Sequence, residues 1–202
     1  MTLKIYGSPA SKAFRPLWAA EEANIKYELV YVHPKDAAKN NDLRNVNPLG
    51  KIPALQDGDF CLTESLALTD YLLRKYAPDY LPQSLEGQSD HLRWTLFGAT
   101  EIEPVLIDYL HAKGIPFGDA DPVKVEEKLA VLRPLFAFLD QNLTHGYLTE
   151  KRFTAADLNM ASILTWVKIG KINLTSFPHL SHWLDLCFKR PAYLALREKL
   201  RA

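Results

Sequence analysis

The chain is short of cysteine, of net charge and of long apolar runs. Two cysteines, Cys61 and Cys187, are all that its 202 residues carry. They are too few and too far apart for a disulfide framework, and no CxxC or Cys/His spacing marks a zinc site or a dithiol redox centre. Lysine plus arginine equals aspartate plus glutamate at 24 each, so the formal net charge is zero. Phosphate recognition normally leaves a basic excess, so a nucleic-acid binder is not expected. Nothing resembles an acidic tail or a polybasic membrane anchor. No stretch reaches the roughly 18 apolar residues of a membrane span. Met1-Thr2-Leu3-Lys4-Ile5-Tyr6 opens strand-like, without the charged and apolar regions of a secretory signal. The expectation is a cytoplasmic protein with no membrane, metal or nucleic-acid partner.

What is present is ordinary core material, 48% hydrophobic and 11% aromatic, in a length between one domain and two. Leu3 to Tyr6 is short and β-prone, and Gly7-Ser8-Pro9 ends it. Phe14 to Ala23 has helical spacing, with Leu17, Trp18, Ala20 and Ala23 available for burial. Tyr27 to Val32 reads as a second strand, and Asn47 to Leu55 as a turn leading into a strand that contains Pro53. Asp57-Gly58 is a hairpin signal completed by Phe60 to Leu62, after which Glu64-Ser65 opens a helix to about Tyr76. The order β-α-β then β-β-α implies a small mixed sheet covered by helices.

Residues 77–88 carry prolines and few apolar anchors and read as a linker. All that follows is helical. Ser89 to Lys113 forms one segment kinked at Pro104, and Val125, Leu129, Leu132, Phe136, Leu139 and Leu143 form an apolar stripe bent at Pro134. Further helices start at Thr154 and after Pro178 and Pro191. The expected organisation is therefore α/β plus all-α: an α/β domain over 1–76, a linker over 77–88 and a helical domain over 89–202.

Three constellations could carry chemistry. Ser8 and Ser11 lie in the turn between the first strand and the first helix, where free backbone N–H groups and the helix dipole favour an anion. Alone, they read first as turn and cap residues, because caps vastly outnumber catalytic serines. Pro53 cannot donate to a ladder, so it marks exposed backbone at Ile52-Pro53. Ser65 stands at a helix start suited to a carboxylate, and Glu64 beside it is suited to the ammonium of an α-amino acid. Together these meet the needs of a γ-glutamyl tripeptide thiol.

At this point the chain resembles the glutathione S-transferase family along its whole length. The resemblance rests on Tyr6-Gly7-Ser8-Pro9-Ala10-Ser11, on Asn47-Pro48-Leu49-Gly50-Lys51-Ile52-Pro53-Ala54-Leu55 and on Leu62-Thr63-Glu64-Ser65. It implies a thioredoxin-like N-terminal domain followed by an all-helical C-terminal domain. It further implies a cis Pro53, an Ile52 backbone that pairs with the cysteinyl residue, and Glu64 and Ser65 on the γ-glutamyl group. Lys51 and Lys39 would lie near the glycyl carboxylate. Tyr6 lies too far inside the strand to match the family's tyrosine types. Pro9-Ala10-Ser11 resembles a motif of plant-type members, and many bacterial members have a serine four residues before the arginine that matches Arg15. Both favour Ser11 over Ser8 as the group that activates sulfur, and the expectation is a serine-type, bacterial-like member.

The implied activity is conjugation of the glutathione thiolate to small electrophiles. A non-catalytic glutathione-binding or protein-interaction module, and a glutathione-dependent isomerase or peroxidase, are alternatives on the same site. An acceptor pocket between the domains would draw on Leu106, Tyr109, Leu110, Phe117 and Trp166, residues whose type and spacing more often mark plain core. A homodimer would form through the Asp57–Tyr76 face against the Ser89 and Val125 helices of a second copy. Thr154-Ala155-Ala156-Asp157 is a capping box, so Asp157 should serve folding and not chemistry.

Overall fold

A computed structural model describes residues 2–200 of the chain. They divide into two compact units, one comprising 2–81 with 189–200 and the other 82–188.

In the first unit, β1 (Leu3–Gly7) is the hub of a four-stranded sheet of order β2-β1-β3-β4. It runs parallel to β2 (Tyr27–Tyr31) and antiparallel to β3 (Ala54–Asp57), with Leu3 opposite Tyr27 and Tyr6 opposite Ala54. The connection to β2 passes through α1 (Phe14–Glu22). β3 returns directly as β4 (Phe60–Thr63), Asp57 facing Phe60 across Gly58-Asp59. Gly58 has φ of 64°, as the first central residue of a tight hairpin turn requires. The core is Ile5, Leu17, Trp18 and Leu55 packed with Leu68, Leu72 and Leu73 of α3 (Ser65–Tyr76), all fully buried. The unit has the thioredoxin-like βαβ-ββα order that the sequence implies.

Two features of this unit were not legible beforehand. A short α2 (Asn41–Val46) interrupts the polar stretch before β3, capped by the Asn40 side chain accepting from Leu43 N at 2.8 Å. The final helix, α9 (Pro191–Lys199), joins this unit and not the helices that precede it, so the helical unit ends short of the expected 202. The cause is the surface of α1. Tyr193 packs edge-on to Trp18 and Phe14 with ring centroids 4.9 and 5.7 Å apart. Arg190 grips the Glu22 carboxylate with two bonds of 2.6 and 2.7 Å, and Lys199 grips Glu21 at 2.7 and 2.9 Å.

The second unit is all helical: α4 (Leu85–Phe97), α5 (Glu103–Ala112), α6 (Pro122–Asn142), α7 (Ala155–Gly170) and α8 (Pro178–Phe188). The segment expected as one kinked helix is divided by a wide π-type turn over Gly98–Ile102, and Pro104 falls in the first turn of α5, where its missing N–H costs nothing. In α6, Leu132, Phe136, Leu139 and the following Leu143 are buried, whereas Val125 and Leu129 are half-covered. At the head of α7 the capping box is formed. Asp157, fully buried, accepts from Thr154 N and Oγ1, Leu148 N and Trp183 Nε1, all at 2.9–3.0 Å. Burial raises its pKa, and the four donors oppose the rise. Among the described residues no helix is long and apolar enough to cross a membrane.

Candidate active site

The site lies on the first unit, in a cleft of about 450 Å³ bordered by the turn after β1, the loops before α2 and β3, and the start of α3. Its lining includes Lys51, Ile52, Pro53, Glu64 and Ser65, five of the six residues expected to hold the tripeptide. Lys39 is exposed in the turn before α2 and does not line the cleft. Lys12, Asn47 and Thr63 do line it, and none of them was expected to.

The Ile52–Pro53 peptide is cis. The ladder begins only at Ala54, so Ile52 and Pro53 stand outside the sheet. Asn47 holds the preceding loop: its Nδ2 donates to Lys51 O at 2.7 Å, while its Oδ1 accepts from Leu49 N at 3.1 Å. Gly7 lets the end of β1 come close, since a Cβ there would meet Cβ of Ala13 at 2.6 Å and lie 3.8 Å from Ile52.

Glu64 adopts φ of 69°, a left-handed conformation that is uncommon for a residue with a side chain. It leaves the Glu64 side chain exposed on the cleft and starts α3 at Ser65. Ser65 is buried, and its Oγ accepts from Nη1 of buried Arg15 at 2.9 Å. A hydroxyl has one proton to give, and this contact leaves that proton available to a ligand carboxylate. Arg15, used in the sequence only as a marker of spacing, is therefore part of the support of the site.

In the turn after β1, Ser8 is buried and its Oγ accepts from Ala10 N at 3.3 Å. Ser11 is half-buried; it donates to Ser8 O at 2.6 Å and its oxygen accepts from Ala13 N at 3.2 Å. Neither lines the cleft directly, though Lys12 between Ser11 and Ala13 does. Tyr6 donates to Gln56 Oε1 at 3.2 Å, so its proton is engaged along the sheet, and burial raises its pKa.

The residues expected for an acceptor pocket are not brought together in a described cavity. Leu106, Tyr109 and Leu110 are buried in the helical unit, and Tyr109 donates to Gly170 O at 3.2 Å, closing the end of α7. Phe117 is 78% exposed and Trp166 is half-buried. A cavity of about 410 Å³ in that unit, between α7 and α8, is lined by none of the five. No group of three or more histidine, cysteine or acidic residues among the described residues could hold a metal.

Comparison with known proteins gives a consistent picture. Residues 1–74 match the family described as glutathione S-transferase, N-terminal domain, and residues 102–191 match its C-terminal domain. Glutathione S-transferase F7 of Arabidopsis thaliana is 31% identical, covering 94% of this chain and 96% of its own. Glutathione S-transferase 1 of Zea mays is also 31% identical, over 94% and 93%. Among solved structures, glutathione S-transferase I from maize, in complex with an atrazine glutathione conjugate, superposes with a TM-score of 0.89 at 28% identity, covering 100% of this chain and 99% of its own. These relatives are from plants, and they do not bear out the expected bacterial-like subtype.

Proposed function

The chain belongs to the glutathione S-transferase family, and we propose that its cleft binds glutathione and delivers the thiolate to small electrophiles, as a serine-type transferase. The observation that carries this is the set of complementary groups along one cleft: Lys51, the cis Ile52–Pro53 bond, Glu64 and the Ser65 hydroxyl supported by Arg15. Glu64 suits the γ-glutamyl ammonium, and Ser65 at the start of α3 suits the carboxylate. The Ile52 backbone suits the cysteinyl amide, and Lys51, with Lys39 further out, the glycyl carboxylate.

A free thiol has a pKa of about 8.5, so only a few per cent is thiolate at neutral pH. Lowering it by about two units needs about 2.7 kcal/mol of preference for the anion. One charge-assisted hydrogen bond and the start of α1 are of that order. Ser11 is the better donor. Rotation about its Cβ–Oγ bond turns the proton from Ser8 O to sulfur while the oxygen continues to accept from Ala13 N, and that second bond polarises the hydroxyl. Attack then follows from holding thiolate and electrophile together.

Homodimer formation belongs to the same reading. Phe60 and Tyr76 are 47% and 41% exposed beside Asp57, and α4 exposes Leu85, Leu92 and Leu96. Apolar faces of this kind suit the same faces of a second copy, and a cytoplasmic location accompanies the reading. Calorimetric titration with glutathione, followed by turnover of an aryl halide, tests the function. Saturable binding with glutathione-dependent release of halide is expected, and binding without turnover on several electrophile classes would replace the transferase by a binding module. Light scattering should give twice the chain mass.

A further inference from the structure

We propose that Tyr193, on α9, is a positioning residue for the glutathione site: it holds the first turn of α1, and through it Arg15 and Ser11, in register with the ligand. The inference rests on the glutathione reading above and adds a support outside the cleft. α1 has little that would fix it by itself. It is 9 residues long, below the roughly 12–15 at which an isolated helix holds in water. Its N-cap, Ala13, offers no side-chain bond, and its first turn carries no acidic residue. Its placement therefore comes from what packs on it.

The first turn is also where α1 meets the site. Ala13 N donates to Ser11 Oγ at 3.2 Å, Phe14 N to Ser11 O at 3.0 Å, and Arg15 Nη1 to Ser65 Oγ at 2.9 Å. Tyr193 packs edge-on against the ring of Phe14, between Ala13 and Arg15, and against Trp18 one turn further on. All three rings are buried. The ring of Trp18 is in turn locked to α9, because Glu22 Oε1 accepts both from Trp18 Nε1 at 3.0 Å and from Arg190 Nε at 2.6 Å. Truncating Tyr193 opens a void beside Phe14 into which α1 partly relaxes. That movement loosens the bond from Arg15 to Ser65, on which affinity depends, and displaces Ser11 from the sulfur. Lys51, Ile52 and Glu64 stand on other segments and keep their places. Misplacement of about 1 Å from a remote substitution can cost up to a hundredfold in rate.

The test reads the glutathione Kd by calorimetric titration, per folded molecule, and the pKa of the bound thiol by thiolate absorbance. In Tyr193→Leu the Kd should rise about tenfold and the thiol pKa by about half a unit. Tyr193→Phe, which keeps the ring, should stay within about twofold of wild type. In a Ser65→Ala background Tyr193→Leu should raise the Kd less than about twofold, because the bond through which it acts is already gone. A role in stability alone predicts a lower thermal midpoint with neither effect, as expected of Asp157→Asn in the helical unit. Circular dichroism checks that each variant is folded. Should Tyr193→Leu not fold, Arg190→Met, which frees Glu22 and Trp18 from α9 and keeps Tyr193, is read in the same way. A wild-type Kd and thiol pKa in the folded variant, or an equal rise in Kd with and without the Ser65 hydroxyl, would overturn the proposal. Wild-type protein that binds no glutathione would defeat the underlying reading, whereas wild-type binding with an unmoved variant defeats this inference alone.

Discussion

Arg15 donates from Nη1 to Oγ of Ser65 at 2.9 Å, a contact between two buried side chains that ties α1 to the first residue of α3. It fixes the Ser65 hydroxyl as an acceptor toward the protein, and so as a donor toward the cleft. Removing the hydroxyl takes one charge-assisted bond from the ligand, worth about 1.5–3 kcal/mol. Ser65→Ala should therefore weaken glutathione binding by roughly tenfold or more in calorimetric titration. Arg15→Ala should do the same and lower the thermal midpoint as well, since it empties a buried position. Wild-type affinity in Ser65→Ala would remove the γ-glutamyl assignment.

The two serines of the turn separate by their hydrogen bonds. Ser8 Oγ is buried against Ala10 N, whereas Ser11 is half-exposed and already accepts a backbone N–H. Ser11→Ala should raise the pKa of bound glutathione, read from thiolate absorbance, and lower kcat at neutral pH by about three- to twenty-fivefold if the pKa rises from about 6.5 by one to two units. Because the thiolate is the reacting form, activity in the variant should recover as pH rises through the new pKa. The same shift in Ser8→Ala, with none in Ser11→Ala, would pass the role to Ser8.

Much of the first unit was legible because its signals are local. Alternation and turn residues mark β1 to β4, and Pro53 and Glu64-Ser65 announce themselves by type and position. Arg15 was not legible as a buried partner. Charge usually means solvent, and its acceptor is 50 residues away. The placement of α9 was hidden for a similar reason, since apolar spacing shows which face is covered but not which unit covers it. Tyr109 illustrates the limit in the helical unit. An aromatic at helical spacing serves a pocket wall or a core equally, and here its hydroxyl closes α7 through Gly170.

Asp157 concentrates the stability of the helical unit in one carboxylate. Asp157→Ala would orphan donors from Leu148, Thr154 and Trp183 in a fully buried place. Each unsatisfied buried donor costs about 1–3 kcal/mol, with partial relaxation, so a loss of about 3–5 kcal/mol is expected. Calorimetry should show a large fall in midpoint. Asp157→Asn keeps one carbonyl acceptor and should lose less. Glutathione affinity per folded molecule should be unchanged in both, and a midpoint within a degree of wild type would show that the box is dispensable.

Acid stability should report on Asp57, near the exposed Phe60 and Tyr76. Its Oδ2 accepts from Lys75 Nζ at 2.5 Å, from Tyr71 at 2.9 Å and from Tyr76 at 3.1 Å. The Lys75 hydrogen bond, with smaller help from the two tyrosines and against the opposing effect of burial, holds its pKa below the ordinary 3.8. A depressed carboxylate binds its proton more readily when unfolded. Its contribution is therefore complete above the ordinary value and is lost as pH falls through the lower, folded-state one. Denaturant midpoints measured downward from neutral pH should fall in that acid window, and Asp57→Asn should flatten this part of the profile while lowering the midpoint at neutral pH. An acid limb identical in the two proteins would place the titration elsewhere. If the homodimer uses this face, the same acid window should also shift light-scattering mass toward the single chain, because protonation frees Lys75 and both tyrosines from their shared acceptor.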